Sequence, residues 1–418
     1  MTIAVADLGE LWYVDRSTTY NTGFTGAGSW SGTKFRAFAV EAAVEYDAVP
    51  DPYMQTRFFG APSPLQTIKK GSLKFRMHLP GGSGSTSPGH VAILMGACTG
   101  GIQSPTLVSD ICEASCTTTA LKLTSHGQVA GQAVMVGTRG DGYAEGKAGV
   151  IQTIVGVNEY ALSMALPGIP ATGIAVRNGH TIYGSQDPPV ERYIDFLGIG
   201  AYAGTGATDD PDILNMIGCS GTFTLGGLAP NETPFVEFTF LVGDWRHESY
   251  ATTKALAHTT AVNGDAPAGN QYIGALCLQD TGTTTRNAIS GTIDGVAFNN
   301  ALVEIKSLNG ANGHAGWLPS HTAGPTIGIT TYWGDMPGLY NDFLNGVPKQ
   351  ILCQWGHQAT QTIVVDAQRA FVVKLPARAE IEKNRALKLE FVCDSGQATA
   401  LSTAALKLQD APLRLHLL

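Results

Sequence analysis

The side chains in this sequence that could do chemistry are few and poorly gathered. Cys112 and Cys116 stand close together in "CEASC", with Cys98 before them and His126 after. Two thiols at that spacing hold zinc when a second matched pair completes the tetrahedron, and no second pair exists. Buried, inert thiols are the plainer reading. Asp209, Asp210 and Asp212 crowd into "DDPD", but Pro211 breaks the loop, and the glycine and closing glutamate of a calcium loop are missing. Asp210 is better placed to cap a helix starting at Pro211. "GAGSWSGTK" (26–34) and "GGSGSTSPG" (81–89) have the glycine content of a phosphate cradle. The first has the wrong spacing and no apolar strand before it; the second lacks the Lys-Ser/Thr ending. His314 and His321 flank Trp317 in "NGHAGWLPSH", an arrangement that suits loop packing. "RGD" at 139–141 and "NET" at 231–233 are short matches of the kind that turn-rich chains produce by chance. No Ser, Cys or Thr sits in a nucleophile elbow. The sequence therefore offers no catalytic residue, no cofactor site and no metal site, and reads as a non-enzyme.

The elements around these residues suggest a scaffold. Only 14% of the 418 residues are charged, against about 25% in an average soluble domain, and 51 are glycine. That mix suits β-rich structure with many turns and with surfaces covered by other subunits. The net charge of −8 gives no electrostatic hold on nucleic acid. No apolar run of about 18 residues is present, so no membrane partner is expected. Asp7 and Glu10 interrupt the region where a signal peptide would be apolar. Seven scattered cysteines read as reduced thiols, which points to assembly in a cytoplasm.

Along the chain, residues 1–33 read as a polar, Gly/Thr-rich N-terminal arm. A first unit over 34–248 holds the strand patterns "FRAFAVEAAVEY", "SLKFRMHL" and "PFVEFTFLVGD", with a Gly/Thr-rich insertion at about 99–190. A small-residue linker covers 249–271, and a second unit runs over 272–418. The second unit repeats the order of the first: strand, long Gly/Pro loop, strand, short helix, closing strands. Ser87-Pro88 suggests the start of a first helix near 88–97, ending near Gly96, and Pro337-Gly338 the start of a second near 337–345, ending near Gly346.

Two stretches carry a family resemblance. "RAFVVKLPARAEIEKNRALKLEFVCDSG" resembles the C-terminal end of tail tube proteins of long-tailed (siphovirus-type) bacteriophages. "LQTIKKGSLKFRMHLPGG…PGHVAILMGAC" resembles that family's glycine-rich loop and short helix. Clear segments cover about a quarter of the chain, in both halves. The chain is longer than a one-domain tube protein, and the insertion has no counterpart in the family pattern. The resemblance implies a mainly β fold, a tandem of β-sandwich or barrel-like domains, each with a short flanking α-helix. It implies a structural virion protein whose rings stack into the hollow tail conduit for viral DNA ejection.

On that reading the chain's partners are copies of itself, three to a pseudo-sixfold ring, and the tape measure, terminator and distal tail proteins. Viral DNA passes through the lumen without specific binding, and the location is the virion tail. Loops 46–71 and 306–325 and the arm are too aromatic to be left in water, so Trp12, Tyr13, Tyr53, Phe58, Phe59 and Trp317 are the expected ring-stacking residues. Another tail component of similar fold, such as a terminator, a distal tail or baseplate protein or a decoration protein, fits the same residues. A carbohydrate-binding β-sandwich has only the aromatic loops in its favour.

Overall fold

The computed structural model describes residues 3–5, 8–17, 32–50, 64–82, 84–107, 109–137, 146–184, 193–200, 213–229, 232–248, 273–298, 301–306, 314–320, 324–332, 338–358, 360–381, 383–394 and 408–418. They are mainly β. The first strands are β1 (Ile3–Val5), β2 (Leu8–Ser17), β3 (Thr33–Phe35), β4 (Phe38–Pro50) and β5 (Pro64–His78), followed by helix α1 (His90–Thr99) and β6 (Gly100–Gln103). Six shorter strands come next: β7 (Ser109–Ile111), β8 (Ala120–Lys122), β9 (Ala133–Val136), β10 (Lys147–Gly156), β11 (Glu159–Leu162) and β12 (Ala175–Asn178). The chain continues with β13 (His180–Gly184), β14 (Tyr193–Gly200), β15 (Ile213–Gly226), β16 (Phe235–Val242) and β17 (Asp244–Glu248). The second half contains β18 (Ile273–Asp280), β19 (Gly291–Phe298), β20 (Ala301–Lys306), β21 (His314–Ser320), β22 (Thr326–Tyr332) and helix α2 (Leu339–Asn345). It ends with β23 (Lys349–Trp355), β24 (Ile363–Val372), β25 (Ala377–Ile381), β26 (Asn384–Cys393) and β27 (Arg414–Leu417).

Alternation builds the front sheet. In β16, Val236, Phe238, Phe240 and Val242 are buried while the residues between them are half exposed, the period-two pattern of a sheet with one face on a core. The first half pairs its strands in the order β4–β5–β16–β15, and the second in the order β19–β22–β26, with the end of β24 and then β25 side by side along the far edge of β26 in the place of β15. The registers correspond residue for residue. Val236, Phe238 and Phe240 face Met77, Phe75 and Leu73; Leu387, Leu389 and Phe391 face Thr331, Ile329 and Ile327. A one-residue slip follows Phe38 in β4 and Ile293 in β19, at matching places on the two ladders. In the first, Ala39 takes a left-handed φ of 50°, the kink an extra residue imposes. Helix α1 packs against β15 and α2 against β24, the matching strands of the two halves.

The two ladders share a back sheet, β6–β13–β27–β24–β23–β18, in which β27 lies between β13 of the first half and β24 of the second. Gly179 lets the turn before β13 approach β27, because a Cβ there would lie 1.8 Å from the Leu417 carbonyl oxygen. The front sheet curls through β14, β2 and β3, so that Phe35 and Phe196 lie over Phe75 at 5.3 and 5.8 Å between ring centroids. The residues of the expected insertion divide. β6 and β13 belong to the back sheet, and Ser109–Asn178 forms a separate six-stranded sheet, β7–β12–β9–β10–β11–β8. One face of this small sheet buries Leu121, Val134, Ile151, Tyr160 and Leu162 on themselves. Met135, Ala148, Val150 and Met164 on the other face pack against Cys277, Leu352 and Val364 of the back sheet.

Several local expectations are corrected. The supposed arm contributes β1, β2 and the first residue of β3 to the sheet system. Helix α1 starts later than Ser87-Pro88, behind an extended Gly89 with no side-chain cap. It also runs past Gly96 to a left-handed Gly100, whose N–H bonds the Gly96 carbonyl. Gly96 is instead where Ile102 packs close to the helix. Gly346 does cap α2 in the left-handed conformation. No helix follows Pro211, because Ile213 onward is β15, where pairing on both edges outweighs a good capping residue. Much of the two long loops is hairpin: β4 and β5 stay paired out to Pro50 and Pro64, and β20 pairs with β21. The linker at 249–271, "RGD" and "DDPD" lie outside the described residues.

Candidate assembly interface

The two front ladders meet edge to edge. Phe223, Thr224 and Leu225 of β15 pair with Phe298, Ala297 and Val296 of β19. Phe223 and Phe298 stack with centroids 4.6 Å apart at 29°, and both are buried. Such an aromatic pair adds about 0.5–1.5 kcal/mol beyond its buried area. The Trp355 indole N–H donates to the Leu228 carbonyl at 3.1 Å and fastens the same seam from behind. The joint thus runs from the last strand of one ladder to the first strand of the next. The matching outer strands are β4 at one rim, paired among the described residues with β5 and, through Ala42–Val44, with β1, and β25 at the other. Among the described residues β25 pairs with β26 alone, and Ala377, Arg378 and Glu380 are exposed on it. Val373 and Leu375 just before it are also exposed, at 44% and 60%.

Of the expected stacking aromatics, Trp12, Tyr13 and Trp317 lie among the described residues. Trp12 and Tyr13 are buried in β2, each 4% exposed. Tyr13 packs edge-on to Phe35 at 5.6 Å and its hydroxyl bonds His90 Nδ1 at 2.9 Å. They are core residues because β2 is an inner strand between β14 and β3. Trp317 is half buried in β21, opposite Glu304 of β20. Tyr53, Phe58 and Phe59 lie outside the described residues.

One polar cluster escaped sequence reasoning. Asp366 in β24 accepts from Arg414 Nε at 3.1 Å and from its Nη2, and from His416 Nε2 at 2.6 Å. His416 Nδ1 in turn meets Thr181 Oγ1 of β13 at 2.8 Å. Because the carboxylate only accepts, His416 donates from Nε2, and in the neutral imidazole Nδ1 accepts a hydrogen bond from the Thr181 hydroxyl. Burial pushes the His416 pKa down, against the pull of Asp366. Burial alone would raise the Asp366 pKa, but Arg414 and His416 together hold it below the usual carboxylate range. A hydroxyl, an imidazole and a carboxylate in a row resemble a nucleophile and its base. All are 1% exposed or less, so no outside molecule reaches the hydroxyl. The cluster is a seam joining three strands, one from the first half and two from the second.

The zinc reading of the cysteines finds no support. All seven are buried and none is in a disulfide, and no group of three or more His, Cys, Asp or Glu able to hold a metal occurs among the described residues. Burial, then the neighbouring Cys116, pushes the Cys112 thiol up to about 12. His126 uses both nitrogens, with Nε2 bonding the Gly156 carbonyl at 3.1 Å and Nδ1 accepting the Gln128 N–H at 3.0 Å. The cleft between the small sheet and β18 is lined by residues such as Leu166, Leu276, Arg286 and Ile289, with no carboxylate, histidine or cysteine among its lining residues. No helix among the described residues is long and apolar enough to cross a membrane. No protein-family model and no curated protein matches the chain.

Proposed function

We propose that this chain is a structural virion protein, the tail tube subunit of a long-tailed bacteriophage, and not an enzyme. One observation carries the reading: two ladders of the same order and register lie edge to edge in one chain, joined β15 to β19. A single chain thus holds two successive segments of a wall that closes when the outer edges meet. Closed cyclic symmetry satisfies every such edge, and three chains give a ring of six like segments. Exposed sheet edges, a liability in a monomer, become joints. The rings stack into the conduit, and the acidic excess of the chain lines part of the lumen. There it repels DNA phosphates over a range of about 8–10 Å. The other tail proteins dock at its ends.

Negative-stain microscopy and symmetry averaging of the purified protein test this. Long tubes with threefold rings are expected. Closed single rings that never stack would make the chain a terminator or distal tail component. Monodisperse monomers at high concentration would overturn the tube reading.

A further inference from the structure

The repeated register says which residues meet between copies, and something already sits in their place. Superposing the ladders by their pairing aligns Leu73 with Ile327, Phe75 with Ile329, and Phe240 with Phe391. Leu225 faces Val236 and Arg378 faces Leu387, so Thr224-Leu225 of the internal joint corresponds to Ala377-Arg378 of β25. On the other side, Val296 and Ala297 face Ile327 and Thr326, while Ala42 and Ala43 face Leu73 and Ser72. The β19 half of the joint therefore corresponds to Ala42–Val44 of β4. In the free chain these same three residues pair with β1, as Ile3↔Val44, Ala4↔Ala43 and Val5↔Ala42.

We propose that β1 is a removable cap on the assembly edge, holding Ala42–Val44 in the free subunit until β25 of a second copy replaces it. This rests on the tube reading above. Three lines support the exchange. Both occupants run antiparallel to the strand they cover, as β15 does to β19. Three paired residues make a short ladder, and a bare β-edge left in solution recruits other chains indiscriminately, so a short self-supplied strand blocks aggregation while remaining displaceable. Charge favours the replacement. β4 carries Glu41, Glu45 and Asp47, whereas residues 377–388 carry Arg378, Lys383, Arg385 and Lys388 against Glu380 and Glu382. Opposite potentials on two edges speed their encounter and fix their register.

A reversible lock tests the cap. Ala4→Cys with Ala43→Cys places two thiols at directly opposed positions of β1 and β4. Oxidised, this variant should stay a folded monomer by light scattering and microscopy, and reductant should restore wild-type tube growth. A second variant, Ala43→Cys with Ala377→Cys, should form disulfide-linked dimers and trimers in assembled material, seen on non-reducing gels. Tube growth unimpaired by the closed lock, or no intermolecular link in the second variant, overturns the cap while leaving the tube reading intact. A wild-type chain that never assembles overturns the tube reading and the cap with it.

Discussion

The two halves share a front ladder but differ in what fills the space behind it. Behind β5 and β16 the first half packs Phe75, Phe196 and Phe240, with Phe75 and Phe240 stacked at 5.9 Å and Phe196 edge-on to Phe240 at 4.7 Å. The back sheet strand β24 instead turns Asp366 toward Arg414 and His416. The difference follows from what covers each region. The aromatic cluster is enclosed by one continuous curl of sheet. The charged seam is closed by the small sheet, whose Gly131 lies close enough that a Cβ would meet Arg414 Nη1 at 3.0 Å. An aromatic fill is indifferent to pH, whereas a buried ion pair with a neutral histidine is not.

That contrast can be broken at its strongest point first. Arg414→Leu leaves Asp366 ionised and buried without its main partner, a change that costs about 3–5 kcal/mol. Urea unfolding should show a midpoint far below wild type, and an unchanged midpoint would mean the seam is open to water. Phe75→Ala removes a ring from the aromatic cluster and costs about 3–4 kcal/mol. Its loss should be the same at pH 5 and pH 8, so a pH-dependent loss would erase the distinction between the regions. The smallest effect is the pH profile of the wild type. Both His416 and Asp366 have folded pKa values below their unfolded ones, so the unfolded chain binds more protons as pH falls. Their contribution is fully present above about pH 6.5, and weakens first as this histidine takes up a proton in the unfolded chain while His416 stays neutral in the fold. It weakens again below about pH 4 as the unfolded chain's aspartate protonates while Asp366 stays charged. Calorimetric melting from pH 8 to pH 3.5 should follow that order, and His416→Gln should flatten the upper step.

The repeat was legible in the sequence because it lies in strand alternation, as in "LKFRMHL" and "FVEFTF", and in where glycine and proline fall. The seam was not legible. Leu413, Leu415 and Leu417 alternate with Arg414 and His416, which on its own reads as an edge with one wet face. The small sheet, packed over that face from a distant part of the chain, and the Leu408 and Gln409 carbonyls that bond Arg414 Nη1 make it dry. Trp12 and Tyr13 misled for the opposite reason. They border a polar, glycine-rich stretch, yet β2 draws them inward by pairing with β14 and β3, partners that local pattern cannot reveal. Asp210 fails similarly as a helix start, since β14 and β17 flank the residues that follow.

The small sheet also has a mechanical role. It leaves and re-enters the back sheet across neighbouring strands, Gln103 facing Thr181. It is then bolted to the second half, where Gln354 bonds the Ala148 N–H and the Gly146 carbonyl, each at 2.8 Å. Within one chain, the two ladders are therefore tied by the front joint, by the shared back sheet and by this bracket. Between chains the proposed joint has only paired edges. In the proposed ring of three such chains, rigid and compliant hinges would alternate around the circumference, and the softest breathing mode would be triangular.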